Sequence, residues 1–245
     1  MTGQSVDYGR GAFEFIERVC ALRSATDVVR LFHEALGRFG YETFIITGLP
    51  NGGQRFEQLV LLKHWPAGWF DLYTREGYIL DDPVAVQCRR TVEPFEWASA
   101  PYDPQRHPRS AEIMRRAADF GMTNGLCVPI HGFVGLEACV SAGGSDLDLS
   151  PQAKAAVHLM AIYACNRARQ LLAPLAEPRK PLLTSREREV MTWTAMGKSA
   201  WEIGCILRIS APTVNKHVAS AMHKLGAANK THAVARAIER REVNI

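Results

Sequence analysis

Between positions 64 and 97 the chain gathers the residue types from which a small-molecule pocket can be built. Trp65, Trp69, Tyr73, Tyr78, Phe95 and Trp97 fall within 33 positions, and Asp82 is the one charge expected on the inside among them. Rings supply apolar walls, indole and phenol groups supply donors, and a single carboxylate supplies an acceptor. The same residues also describe an ordinary aromatic core with an aspartate capping a helix, and at this level both remain open. Reaction chemistry is poorly served. His33, His64 and His131 lack metal-ligand spacing, no G-x-S-x-G elbow surrounds Ser141, and Asp81 and Asp82 have no neighbouring base to make either a nucleophile. The six cysteines (Cys20, Cys88, Cys127, Cys139, Cys165, Cys205) are scattered, none within two to four residues of another. No zinc knuckle or C-x-x-C pair can therefore be built locally, and most are expected as small buried apolar side chains. Neither catalysis nor a metal or other cofactor is expected.

These residues need a scaffold, and 245 residues with 47% hydrophobic side chains suffice for two modest domains. Apolar runs such as Leu59 to Leu62 fall far short of the roughly 20 residues that cross a bilayer, so no membrane partner is expected. Met1 to Arg10 lacks a basic start followed by an apolar stretch, and the expected compartment is the cytoplasm. The net charge of +4 conceals an asymmetry: residues 1–175 carry −2 and residues 176–245 carry +6. A small basic module suits a polyanion, because Lys and Arg displace counterions from phosphates, although a solvated basic face has the same composition. Pro174, Pro178 and Pro181 mark a semi-rigid linker where the charge changes sign.

The first 173 residues read as an α/β/α sandwich. Apolar spacing over 12–39 gives two helices broken near Ser24 to Thr26, and β-rich runs over 42–48 and 56–63 flank the turn at Leu49 to Gly53. Further strands are expected over 126–131 and 136–141, and helices over 106–120 and 150–172, the latter with a Ser cap and first-turn Pro. One sheet between helical layers is the most economical arrangement, and with an all-helical tail the chain is α+β.

The tail is legible from its caps. Thr184 to Glu187 and Ser199 to Glu202 each have the form of a capping box, Gly197 and Gly226 are stops, and Ser210 and Asn229 can cap two further helices. Two short helices and a tight turn, followed by a longer helix exposing Thr213, Asn215, Lys216, Ala219 and His223, make a helix-turn-helix suited to a major groove. A purely structural four-helix bundle is the competing reading.

Leu183 to Val190 (LTSREREV), Gly197 to Ile203 (GKSAWEI), Ile209 to His217 (ISAPTVNKH) and Lys224 to Gly226 resemble the LuxR-type helix-turn-helix, with Met191 where the family usually has Leu. The resemblance implies that Thr213, Val214, Asn215, Lys216 and His217 face double-stranded DNA, Asn215 being the first choice for reading bases. Lys198 and Lys224 are candidate flanking contacts, whereas Ala219 offers only apolar contact.

The intervals Trp69 to Asp82 (13 residues) and Asp82 to Trp97 (15 residues) resemble those of the acyl-homoserine-lactone-binding domain of LuxR-type quorum-sensing receptors. That resemblance spans nearly the whole chain. It implies that Asp82 accepts the ligand amide N–H, Trp69 donates to the lactone carbonyl, Tyr73 and Ser141 bind the acyl carbonyl, and Trp97 walls the ring. Val84, Val86, Cys127 and Cys139 are candidate lining. Trp65 stands where several long-chain responders have Tyr, which points to a branched or aryl acyl group. The implied division is residues 1–173 for autoinducer binding and dimerisation, 174–182 as linker and 183–245 for DNA. Implied partners are an N-acyl- or N-aryl-homoserine lactone, double-stranded DNA, a second copy of the chain and RNA polymerase. The helix ending at Leu172 and the stripe Ala233 to Ile238 are candidate dimer faces. A regulator that acts without ligand, its N-terminal domain serving only for dimerisation or partner binding, is the alternative.

Overall fold

The computed structural model describes residues 7–50, 53–132, 135–172 and 181–243. The chain divides into two compact units, Met1–Pro174 and Leu175–Ile245. Most of the expected linker, 174–182, lies outside the described residues, as does part of the expected turn at 49–53.

In chain order, the first unit contains α1 (Tyr8–Ala21), α2 (Ala25–Gly37), β1 (Thr43–Thr47), β2 (Val60–His64), α3 (Trp69–Arg75), α4 (Pro83–Cys88), β3 (Phe95–Glu96), α5 (Pro108–Asp119), β4 (Asn124–Gly132), β5 (Gly135–Gly144) and α6 (Pro151–Leu172). The strands form one antiparallel sheet in the order β2-β1-β5-β4-β3. Side chains alternate across it, as the two-residue period of a strand requires. Phe44, Ile46, Leu126, Val128, Val140 and Ala142 face a core shared with α1, α2 and α6. Ile45, Cys127 and Cys139 face the opposite side, among Trp69, Tyr73, Val84, Trp97 and Ile113. The expected three-layer arrangement is the one observed.

Local chemistry explains the helix starts. Asp7 accepts from the Arg10 amide at 2.9 Å, and the Ser150 hydroxyl accepts from the Ala153 amide at 3.3 Å. Along α6 the alanines 153, 156, 161, 164 and 168 are all buried, so small side chains let α1 and α2 pack against its backbone. One expected strand is corrected: residues 56–59 form a 3-10 turn and β2 begins only at Val60, because Phe56 folds inward to pack beside Tyr73. The two-residue β3 was not anticipated, and no bounds were expected for the short helices α3 and α4, the second of which has Asp82 as its cap.

On the second face, Gly125 and Gly143 are cross-strand partners and leave a bare patch of backbone on which the Trp97 indole lies. A Cβ at either position would run into that ring.

The second unit comprises α7 (Ser185–Ala195), α8 (Ala200–Leu207), α9 (Ala211–Leu225) and α10 (Lys230–Glu239). Both expected capping boxes are formed, at Thr184 with Glu187 and at Ser199 with Glu202. Gly204 permits the tight α8–α9 turn, since a Cβ there would stand 2.7 Å from the Ile209 carbonyl oxygen. Glu187 ties the bundle together: it is 4% exposed and accepts from the Thr184 amide (2.7 Å), the Ser220 hydroxyl (2.6 Å) and the Lys224 ammonium (2.7 Å). Burial alone would raise its carboxyl, but these partners override it and bring the pKa down to about 2.

Two predictions follow from these contacts. Gly125→Ala or Gly143→Ala should displace Trp97 and cost about 1–3 kcal/mol by overpacking, read from urea unfolding of the first unit; unaltered stability would mean that the indole is not seated on the sheet. Glu187 contributes stability that is present above the ordinary carboxylate value and is lost as pH falls towards 2. Glu187→Gln should therefore destabilise the second unit by about 1.5–3 kcal/mol at neutral pH and flatten its acid dependence, as followed by amide exchange within 185–239.

Candidate functional site

The segment between β2 and β4 supplies most of one site. Gly68, in the left-handed region at φ 81°, opens α3 and sets Trp69 and Tyr73 one turn apart, so both rings point to the sheet. Pro83 follows Asp82 and fixes the first turn of α4, leaving Asp82 as its cap. The Asp82 carboxylate accepts from the Val84 amide at 2.8 Å through one oxygen and from the Tyr73 hydroxyl at 2.7 Å through the other. Its neighbour Asp81 faces outward and pairs with Arg109 at 2.7 Å. Two adjacent acids thus have opposite fates, which the cap geometry decides.

Asp82 retains intermediate exposure and opens onto two adjoining cavities. Trp65, Tyr73, Asp82, Val84 and Ser141 belong to both and form the partition between them. The first cavity continues between Trp69, Trp97 and the inner face of α5 at Ile113 and Ala117, with Met122 beyond. The second runs over the sheet, past Ile45, Phe56, Ala85, Cys127 and Cys139. Trp65 and Trp69 each meet Tyr73 edge-on, at 5.2 and 5.6 Å between ring centroids.

Burial raises the Asp82 carboxyl above the ordinary range, against the opposing pull of the Tyr73 hydroxyl and the Val84 and Ala85 amides. Tyr73 is raised strongly, first by burial and then by the negative charge beside it. Its proton is therefore held, and it serves as a donor. Trp97 donates its indole N–H to the Ser141 hydroxyl at 2.9 Å, leaving that hydroxyl's own hydrogen free to turn to another acceptor. The Trp69 indole N–H makes no hydrogen bond among the described residues, and the Trp69 side chain lines the first cavity. The arrangement offers one carboxylate acceptor and several donors between apolar walls.

Nine of the ten expected pocket residues line these cavities: Trp65, Trp69, Tyr73, Asp82, Val84, Trp97 and Ser141 the first, Cys127 and Cys139 the second. Val86 lines neither. Sequence reading missed Ile45, Phe56, Ile113 and Ala117. The alternation of β1 and the four-residue spacing on α5 carried a signal for burial, but none for which buried side chain meets a cavity.

In the second unit, Asn215, Lys216, Ala219 and His223 are exposed along one side of α9, with Thr213 and His217 intermediate. The expectation that Val214 faces DNA is corrected: it is 0% exposed and packs with Val190 and Ile203, because it lies on the helix face that the bundle covers. Lys224 spends its ammonium on Glu187, and Lys198 meets Glu202 at 3.3 Å. Among these positions, α9 thus leaves Asn215 and Lys216 as exposed side chains with hydrogen-bonding groups near its N-terminal end.

Comparison with known proteins agrees with this two-part anatomy. Residues 24–168 match the autoinducer binding domain family, and residues 181–237 match the bacterial regulatory proteins of the luxR family. The chain is 54% identical over 240 residues to the transcriptional activator protein BjaR1 of Bradyrhizobium diazoefficiens, covering 98% of this chain and 99% of that one. It is 42% identical over 239 residues to the quorum sensing-dependent transcriptional regulator RpaR of Rhodopseudomonas palustris, covering 97% of each. In fold it is similar to Escherichia coli SdiA, with a TM-score of 0.70 at 18% identity over 94% of this chain and 97% of that one. No described helix is long and apolar enough to cross a membrane. The chain belongs to the LuxR family of transcriptional regulators, as a non-catalytic quorum-sensing transcription factor in which an autoinducer-binding domain precedes a helix-turn-helix DNA-binding domain.

Proposed function

We propose that the autoinducer is an N-acyl- or N-aryl-homoserine lactone held across the Asp82 partition, and that its uptake controls DNA binding by a homodimer. The observation that carries this reading is the Asp82 carboxylate, fixed by Tyr73 and Val84 between two apolar cavities. An acylated lactone has the matching form: one amide N–H at its waist, a compact ring on one side and an acyl group on the other. The lactone ring takes the first cavity, with Trp69 donating to its carbonyl and Trp97 covering it. The acyl group takes the second, over Cys127 and Cys139. Tyr73 and Ser141 donate to the acyl carbonyl, Tyr73 by turning its single proton away from Asp82 as the ligand amide replaces it.

The bulk of Trp65 on the partition, with the sheet as the floor of the second cavity, favours a short branched or aryl acyl group over a long straight one. Residues 1–173 are assigned to ligand binding and dimerisation, 174–182 to the linker and 183–245 to DNA. Two basic modules on half-sites a helical turn apart bind far more tightly than one, which supports a dimer on a two-fold site. Likeness to a protein named as a transcriptional activator supports activation as the outcome.

Calorimetric titration with branched, aryl and twelve-carbon lactones tests the site. The first two should bind more tightly than the third, and Asp82→Asn should weaken binding by about 1.5–3 kcal/mol. Asn can still cap α4, so the fold is kept. Undiminished binding by Asp82→Asn would remove Asp82 from the site, and a preference for the twelve-carbon chain would remove the size argument. On the DNA side, Asn215→Ala should relax sequence preference at a cost of about 1–3 kcal/mol. Lys216→Ala should weaken all sequences alike and lower the salt slope by about one unit.

A further inference from the structure

Cys88, Cys127 and Cys139, far apart in sequence, converge. Cys127 and Cys139 project from β4 and β5 onto the same face of the sheet, and Cys88 joins them from the last turn of α4. The three sulfurs lie within 4.8 Å of one another, and the side chains are 0%, 0% and 5% exposed. Lining an apolar cavity needs only small apolar side chains. Three thiols meeting from three separate elements are, in addition, a donor set.

Its chemistry is narrow. Among the described residues no fourth His, Cys, Asp or Glu joins the group, whereas structural zinc takes four protein ligands. Three soft sulfurs suit either Cu(I) or a trivalent thiophilic centre. Charge separates the two. Three thiolates on Cu(I) carry a net −2, and on Zn(II) a net −1, and burying uncompensated charge is costly. The Asp82 carboxylate faces the same cavity and opposes further negative charge, and the guanidinium of Arg89 is already directed to the Ala85 and Pro50 carbonyls. A trivalent metalloid gives a neutral adduct. For arsenite, As(OH)3 and three thiols yield As(SR)3 and three waters: three As–O and three S–H bonds break, three As–S and three O–H bonds form, and no atom changes oxidation state.

We propose that Cys88, Cys127 and Cys139 form a binding site for a trivalent thiophilic metalloid, with arsenite as the species that fits it. The adduct ties α4, whose cap is Asp82, to β4 and β5. The site stands whether or not the cavity takes a lactone.

The test uses the full chain with the two exposed thiols removed (Cys20→Ser, Cys205→Ser), reduced and treated with arsenite. Intact-mass measurement should find one adduct, heavier by one arsenic and lighter by three hydrogens. Changing any one of Cys88, Cys127 or Cys139 to Ser should abolish it or convert it to a two-sulfur adduct that retains a hydroxyl. Cys165→Ser should leave it unchanged. X-ray absorption at the arsenic edge on the natural chain, which needs no substitution, should count three sulfur neighbours. No adduct, an adduct indifferent to all three substitutions, fewer than three sulfurs, or uptake of Cu(I) or Zn(II) by these thiols with arsenite excluded would each overturn the proposal.

Discussion

A carboxylate removed from bulk water must be compensated by hydrogen bonds, and much of the first unit can be understood as the means of doing so for Asp82. The start of α4 brings the Val84 amide to one oxygen, and the second turn of α3 brings the Tyr73 hydroxyl to the other. Both helices are short and have little stability of their own. They are held by what they pack against: Trp69 and Tyr73 on one side, Val84, Ala85 and Cys88 on the other, all over the second face of the sheet. The acid therefore remains a strong, oriented acceptor in surroundings that favour its neutral form.

The sheet allows this by dividing labour between its faces. One face closes on α1, α2 and α6 in a continuous apolar core and supplies stability. The other carries the paired glycines, the cysteines and Ser141, small groups that leave room above the backbone for Trp97 and for the cavities. A ligand that fills such space completes an under-packed layer. At a hundredfold excess over its dissociation constant it stabilises the folded state by about 2.7 kcal/mol, a sizeable share of the roughly 5–15 kcal/mol by which domains are stable. Ligand uptake and folding of the α3–α5 layer are thereby linked, without any need for a contact to be specified between the two units.

Much of this was legible from residue types. Caps and stops marked the four helices of the second unit, because Thr184, Ser199, Ser210 and Asn229 act on amides three residues away, a local relation that sequence displays. The alternation of β4 and β5 was visible for the same reason. The bounds of the short helices around Asp82 were not, since six or seven residues carry too little periodicity and their stability comes from distant partners. Phe56 sits in a β-rich run, yet its place is decided by Tyr73 across the fold. Val214 illustrates a different limit: motif position implied a DNA-facing residue, whereas helical geometry turns it into the bundle beside Ile203. The meeting of Cys88 with Cys127 and Cys139 depends wholly on tertiary structure, and spacing along the chain concealed it.

In the proposed function, Asp82 meets the ligand amide between the two cavities. A crystal structure of the first unit with a bound homoserine lactone tests it most directly. An Asp82 carboxylate oxygen should lie within about 3.2 Å of the amide nitrogen, with the lactone ring beneath Trp97 and the acyl group over Cys127 and Cys139. A ligand lying elsewhere, or one whose amide turns away while Asp82 keeps Tyr73 as its partner, would contradict it.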